Sequence, residues 1–276
     1  MRYSLLLTVG LICTFLAHMA LTAQDKTVAA KGQAAQAAPD SGRAAGKKRA
    51  EHRLPVVRAE AFLATLNDAE RQRATLPYKS PKRVAWHFVP QESRKGLPLM
   101  DMTAEQQESA RELLRSVLSQ LGYDNATTIM LLEGILLKLE GADRANVRNP
   151  EKYYFTLYGK AVEGKTWGLS VEGHHLSLNF SLKGNKIVDS TPQFMGSNPA
   201  ELRSDFGANF PKGLRVLRDE EQLAFELVNS LDEKQRSAAV LPGEVPQEIR
   251  GAGQAQPVVE PAVGLSAGQL STDQRE

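Results

Sequence analysis

Cysteine is almost absent from this chain of 276 residues, and the single one, Cys13, sits inside the N-terminal apolar run. Once that run is removed, the protein keeps no disulfide, no thiol nucleophile and no thiolate metal ligand. Charge of one sign is lacking too: 34 basic residues oppose 32 acidic ones, for a net charge of +2. That balance is far from the basic footprint of a nucleic-acid binder. After the leader no apolar run is long enough to suggest a membrane span. No phosphate-binding or dinucleotide glycine pattern occurs. The GxSxG turn of serine hydrolases is also missing, because Gly168-Leu169-Ser170 has no closing glycine.

What is present begins with a leader. Arg2 provides a positive start, Leu5 to Leu16 an apolar stretch, and Ala20 and Ala23 small residues before Gln24-Asp25. This layout predicts a secretory signal peptide over residues 1–23, a periplasmic or secreted protein, and no stable membrane anchor after cleavage. An uncleaved anchor is the alternative, since Leu21 is large for the −3 position. Residues 24–53 are rich in Ala, Gly, Lys and Gln with few large apolar side chains, so they predict a disordered linker. Lys47-Lys48-Arg49 reads there as a solvated charge run. A folded domain is expected over 54–250, roughly 190 residues, enough for one core.

Periodicity sets the expected fold class as α+β. A loose helical pattern starts at Leu54, and Asn67-Asp68 begins a second short helix. Arg83 to Val89 reads as a strand. Thr103 with Gln106 forms a capping box for a helix whose apolar face is Ala110, Leu113, Leu114, Val117, Leu118 and Leu121. Asp124 is the expected cap of a helix ending near Leu139 before Gly141. The period then changes to two, through Tyr153 to Tyr158, Trp167 to Val171, Leu176 to Leu182 and Ile187 to Phe194. This predicts an antiparallel β-meander of about four strands flanked by amphipathic helices. Asn198-Pro199 is read as a helix start, and Asp219 to Leu231 as a final amphipathic helix.

There is an internal echo. Residues 66–77 (LNDAERQRATLP) align without a gap on 231–242 (LDEKQRSAAVLP), and Gly96 to Glu108 on Gly264 to Glu276. Thr103 and Gln106 then correspond to Ser271 and Gln274. Chance likeness between helix starts is one account. A true repeat is the other, and it makes residues 251–276 a linker and the truncated start of a further helix.

Several strings together resemble a known family: Trp86-His87-Phe88-Val89-Pro90, Lys95-Gly96-Leu97-Pro98-Leu99, Pro150-Glu151 before Tyr153-Tyr154-Phe155, Glu172 to Asn179 (EGHHLSLN), and Gly196 to Glu201. They are similar to the exported bacterial proteins grouped as Domain of Unknown Function 3500, over roughly residues 58 to 276. The resemblance implies export. It brings no activity and no catalytic residues. It also implies a longer chain, because family members resemble one another in a C-terminal segment with a further His- and Trp-containing motif.

The two histidine-bearing motifs are where proton transfer or metal ligation is expected. If EGHHLSLN is one strand, His174 lies on the apolar face with Leu176, Leu178 and Phe180. His175, Ser177 and Asn179 then form a row on the other face, about 7 Å apart. A bulge at Gly173 is the alternative. His175, His87 and Asn179 are therefore the candidate catalytic residues. His87, His175 and Glu172 are the candidate ligands of a divalent metal, as two histidines and a carboxylate. Trp86, Trp167 and Tyr153-Tyr154 offer either a sugar platform or core packing. Two readings follow: a hydrolase, with or without a metal, and a non-catalytic module for a small-molecule or envelope ligand.

Overall fold

A computed structural model describes residues 54–245, 247, 249, 251, 253–256 and 261–275. The leader and linker expected over 1–53 lie outside the described residues. Helix α1 spans Pro55–Thr65, with proline in the first turn where no amide partner is required. Helix α2, Asp68–Ala74, is held by an Asn67/Glu70 capping box. Helix α3, Ala104–Val117, has the expected Thr103/Gln106 box and buries Ala110, Leu113, Leu114 and Val117. Helix α4 runs Gln120–Glu140. Its cap is Ser119, not Asp124, because the Ser119 hydroxyl accepts from the Gly122 amide at 3.1 Å. Asp124 instead accepts from the Gln120 side chain, one turn into the helix, at 2.8 Å.

Among the described residues the sheet has seven strands, β1 Thr75–Leu76, β2 Leu97–Pro98, β3 Tyr154–Tyr158, β4 Thr166–Gly173, β5 Leu176–Lys183, β6 Lys186–Asp189 and β7 Gln193–Met195. Strands β3 to β6 run antiparallel in chain order. The sheet as a whole is mixed, because β1 lies parallel to β3, so the purely antiparallel meander read from the sequence is corrected. A strand of two residues carries no period, and its direction cannot be read from sequence. The expected strand Ile187 to Phe194 is divided between β6 and β7, both of which pair with β5. Pro192 between them has no amide to donate to a ladder.

Two other expectations fail. Arg83 to Val89 is not a strand: a short 3-10 turn, Pro81–Arg83, leads into irregular chain without a ladder. The Arg94 guanidinium satisfies part of that backbone by donating to the carbonyls of His87, at 2.8 Å, and Val89. No helix starts at Asn198-Pro199. Leu202 is buried there with Leu132 and Ile135 of α4, and its backbone pairs with Gly213 and Leu214, which holds the segment as a loop. Helix α5, Arg218–Ser230, helix α6, Glu233–Ala239, and a helical turn α7, Thr272–Arg275, follow.

The main core joins α1, α3 and α4 to one face of the sheet. Phe155, Leu157, Trp167, Leu169, Val171, Leu178 and Leu182 come from the strands, and the Phe62 ring lies 6.2 Å from that of Phe155. Among the described residues no helix is long and apolar enough to cross a membrane. The architecture is α+β.

Candidate functional site

The opposite face of the sheet is polar and nevertheless buried. Register places Thr156 beside Ser170, Ser170 beside Asn179, and Tyr154 and Ser177 on either side of Glu172. Thr156, Ser170, Glu172, Ser177 and Asn179 are exposed by only 0, 1, 2, 0 and 8 %. Residues 77–95 cover them. The Tyr158 hydroxyl reaches the Lys82 carbonyl at 3.5 Å, Tyr78 reaches Ser181 at 3.4 Å, and Trp86 and Phe88 are themselves buried. Burying hydroxyl, amide and carboxylate groups is costly unless each finds a partner. Most do. Tyr158 and Ser170 share a hydrogen bond at 3.2 Å, and the Asn179 amide nitrogen donates to Ser177 at 3.2 Å and to the Pro192 carbonyl at 2.9 Å. The Asn179 carbonyl oxygen and the Thr156 hydroxyl have no partner among the described residues.

Two cavities open beside this face, and Trp86 lines both. The first, about 470 Å³, is bounded by Trp86, Arg83, Tyr158, Asn179, Ser181 and Asp189. The second, about 520 Å³, is bounded by Trp86, Lys82, His87, Arg94, Lys95 and Glu172. In the second, the Lys95 ammonium donates to both Glu172 oxygens at 2.7 Å, with the two side chains 8 and 3 % exposed. Burial outweighs their attraction: it pushes the Glu172 carboxyl up and the Lys95 ammonium down from their ordinary values. His87 Nδ1 accepts the amides of Phe88 and Val89, at 3.0 and 3.3 Å. A neutral ring therefore carries its proton on Nε2, as a donor.

The EGHHLSLN motif is a hairpin, not a single strand. Gly173 pairs with Leu176, so His174 and His175 form the loop between β4 and β5. His175 takes φ +58°, a left-handed conformation unusual for a side-chain-bearing residue. Its amide donates to the Phe88 carbonyl at 2.7 Å, and its carbonyl accepts from Gly196 at 2.8 Å. Ser177 and Asn179 do share a face, but His175 does not extend their row. Burial, then the neighbouring His174 and Arg148, lowers the His175 imidazole to about 4. Its Nδ1 has no partner among the described residues.

His174 is buried as expected, though at the sheet's end and not within its apolar face. Its Nδ1 contacts the Glu133 carboxylate, and Arg148 Nη1 lies 2.9 Å from the same nitrogen. A carboxylate oxygen only accepts, so the contact with Glu133 requires the imidazole proton on Nδ1, and the Arg148 guanidinium, itself a donor, makes no hydrogen bond to that nitrogen. Arg148 is also fixed by the Glu140 carboxylate, at 2.8 and 2.9 Å. The Tyr153 hydroxyl donates to the His174 carbonyl at 2.9 Å.

The candidates are thus distributed. His87 and Glu172 share the second cavity, Asn179 lines the first, and His175 borders neither. Among the described residues no three His, Cys, Asp or Glu side chains are grouped to hold a metal, and the carboxylate of the expected His87, His175 and Glu172 set is occupied by Lys95. Trp167 and Tyr153 are fully buried, and the Trp167 indole donates to the Gly184 carbonyl at 2.8 Å, so both are structural. Sequence reasoning missed Lys95, Arg94, Glu133 and Arg148. Glu133 did carry a signal: it is the one charge within the apolar run Ile129 to Leu137.

No curated protein and no solved structure matches the chain. A family model described as "Protein of unknown function (DUF3500)" matches residues 50–276. With most of its length matched, the chain belongs to that family.

Proposed function

We propose that the protein is an exported, non-catalytic binding module whose polar sheet face holds a small polar ligand in the cavity beside Trp86. The observation that carries this reading is the buried Asn179 carbonyl oxygen, without a hydrogen-bond partner among the described residues, on a residue that lines the 470 Å³ cavity. An acceptor held dry and unsatisfied costs about 1–3 kcal/mol, which a ligand hydroxyl or amide N–H would recover. Trp86 supplies a flat apolar wall and Arg83, Ser181 and Asp189 polar edges, the usual composition of a small-molecule site. The ligand is therefore a neutral, hydroxyl- or amide-bearing compound from the periplasm or the cell envelope.

The test is a thermal-shift screen of neutral saccharides, amides and nucleosides. A true ligand at about 100 times its Kd stabilises by about 2.7 kcal/mol. Its effect disappears in Asn179→Ala and in Trp86→Ala. A library without any stabiliser, or a stabiliser indifferent to both substitutions, defeats the proposal.

Hydrolysis is the second reading, and the Lys95–Glu172 pair favours it. Carboxyl and ammonium groups shifted in opposite directions within a cleft are the material of general acid–base catalysis. In that reading Glu172 handles the proton and His87 Nε2–H positions the substrate. A metal-assisted form has no assembled ligand set among the described residues to support it. Ester or glycoside turnover lost in Glu172→Gln would establish this reading in place of the first.

A further inference from the structure

Positive charge is gathered at the end of the covering segment 77–95. The 520 Å³ cavity adjoins a third, of about 500 Å³, and Lys82, Ser93, Arg94 and Lys95 line both. Arg73 and Lys152 add their charges to the third cavity. The carboxylates of the two cavities are Glu172 in one and Glu92 and Asp101 in the other. Five basic side chains thus stand against three acidic ones, an excess equal to the net charge of the entire chain. Clefts lined by one sign of charge concentrate ions of the other.

Pairing within this group leaves Arg94 over. Lys95 is closed, because its ammonium is shared between both Glu172 oxygens and the Ala85 carbonyl. Arg73 meets Asp101, and Lys152 donates to the Asn146 carbonyl at 2.7 Å. Arg94 donates only to the His87 and Val89 carbonyls, which bring no countercharge, and the rest of its five N–H donors have no partner among the described residues. Glu172 attracts the guanidinium, but burial outweighs that attraction and lowers it from its ordinary value. Two cations withdrawn from water therefore share one carboxylate, and an uncompensated charge in such a place is costly. Beside Arg94 the wall adds the exposed Lys82, the Ser93 hydroxyl and, in the 520 Å³ cavity, His87, whose Nε2–H is a donor.

We propose that Arg94, with Lys82 and Ser93, forms a binding site for a small organic anion. Its carboxylate or phosphate group lies at the wall that the two cavities share, and its body occupies the 520 Å³ cavity beside Trp86 and His87. The anion supplies the countercharge that Arg94 lacks, and a guanidinium offers the planar donor fork that suits either group. A cavity of this volume admits a body the size of a sugar. The site is separate from the one proposed for a neutral ligand, because Asn179 lines neither of these cavities. It stands whether or not the cavity beside Asn179 is filled.

The probes are glucuronate, a phosphate ester of glucose and, as their neutral counterpart, glucose, each titrated into the full chain by isothermal titration calorimetry at low salt. Saturable binding of one or both anions is expected, about tenfold or more tighter than any binding of glucose, and it weakens as salt screens the charges. The tighter of the two anions tells a carboxylate site from a phosphate site. Arg94→Gln removes the binding. Because that change also loosens the tie to His87 and Val89, Lys82→Glu is the second variant. Its side chain is exposed, so circular dichroism stays unchanged while affinity falls about tenfold or more. Asn179→Ala leaves the anion bound. Four results overturn the proposal: no saturable binding of either anion, glucose bound as tightly as the anions, binding indifferent to Lys82→Glu, or binding that disappears in Asn179→Ala.

Discussion

Lys95 Nζ stands equidistant from the two oxygens of Glu172, 2.7 Å from each, inside a face of the sheet that excludes most solvent. The pair joins the irregular segment 82–95 to the C-terminal end of β4. It is thus the main electrostatic attachment of the cover to the polar face.

Removing one partner should cost far more than removing both. Lys95→Met leaves the Glu172 carboxylate buried and uncompensated, for an expected loss of about 3–5 kcal/mol in urea unfolding. Lys95→Met with Glu172→Leu should recover most of that loss. A double variant no more stable than the single one would show that the pair is not the attachment.

The His175 imidazole gives a pH dependence with a definite sign. Its folded value, about 4, lies below the ordinary 6.5, so the unfolded chain takes up the proton first as pH falls. Stability is full above about pH 6.5 and declines as pH falls toward about 4. His175→Asn should flatten this part of the melting-temperature profile while leaving stability at pH 7 within about 1 kcal/mol, since Asn accepts a positive φ. Superimposable profiles for the two proteins would reject the assignment.

Arg148 is the cation of the His174 cluster, meeting Glu140 at 2.8 Å and Glu133 at 3.7 Å. Arg148→Met leaves Glu133, 3 % exposed, with only an imidazole as partner. The expected cost is about 3 kcal/mol or more by chemical denaturation. Loss of less than about 1 kcal/mol would mean that Arg148 is not the cation on which the cluster depends.

Gly173 is required by packing. A Cβ at this position would collide with the Tyr153 ring, whose hydroxyl is already committed to the His174 carbonyl. Gly173→Ala should destabilise by about 1–3 kcal/mol. Gly164→Ala is the control: its Cβ would meet nothing within 4 Å, and only its φ of +72° opposes the change. It should cost about 1 kcal/mol. Equal costs at the two glycines would remove the argument from the Tyr153 ring.

The legible parts of the fold were those with local causes. The Thr103/Gln106 box and the apolar face of α3 follow from residues three to eight positions apart, and the alternation along β5 from its period of two. The same alternation placed Ser177 and Asn179 on one face. It failed at His175, because a two-residue loop continues the alternating pattern of composition while reversing the chain. It failed again at Arg83 to Val89, where Trp86 and Phe88 are buried without the segment joining a ladder. Lys95 offered no sequence signal for its role, since its partner Glu172 lies 77 positions away.

By itself, then, the sequence determined the caps, the periods, the family motifs and the echo between residues 66–77 and 231–242, all of which depend on neighbours along the chain. Only the tertiary structure decided that the polar sheet face would be covered, that Glu172 would meet Lys95 and that His174 would meet Glu133. The physical reason is that burial and charge pairing belong to the space between distant segments. A local pattern specifies which face a side chain occupies, but only folding specifies what lies against that face.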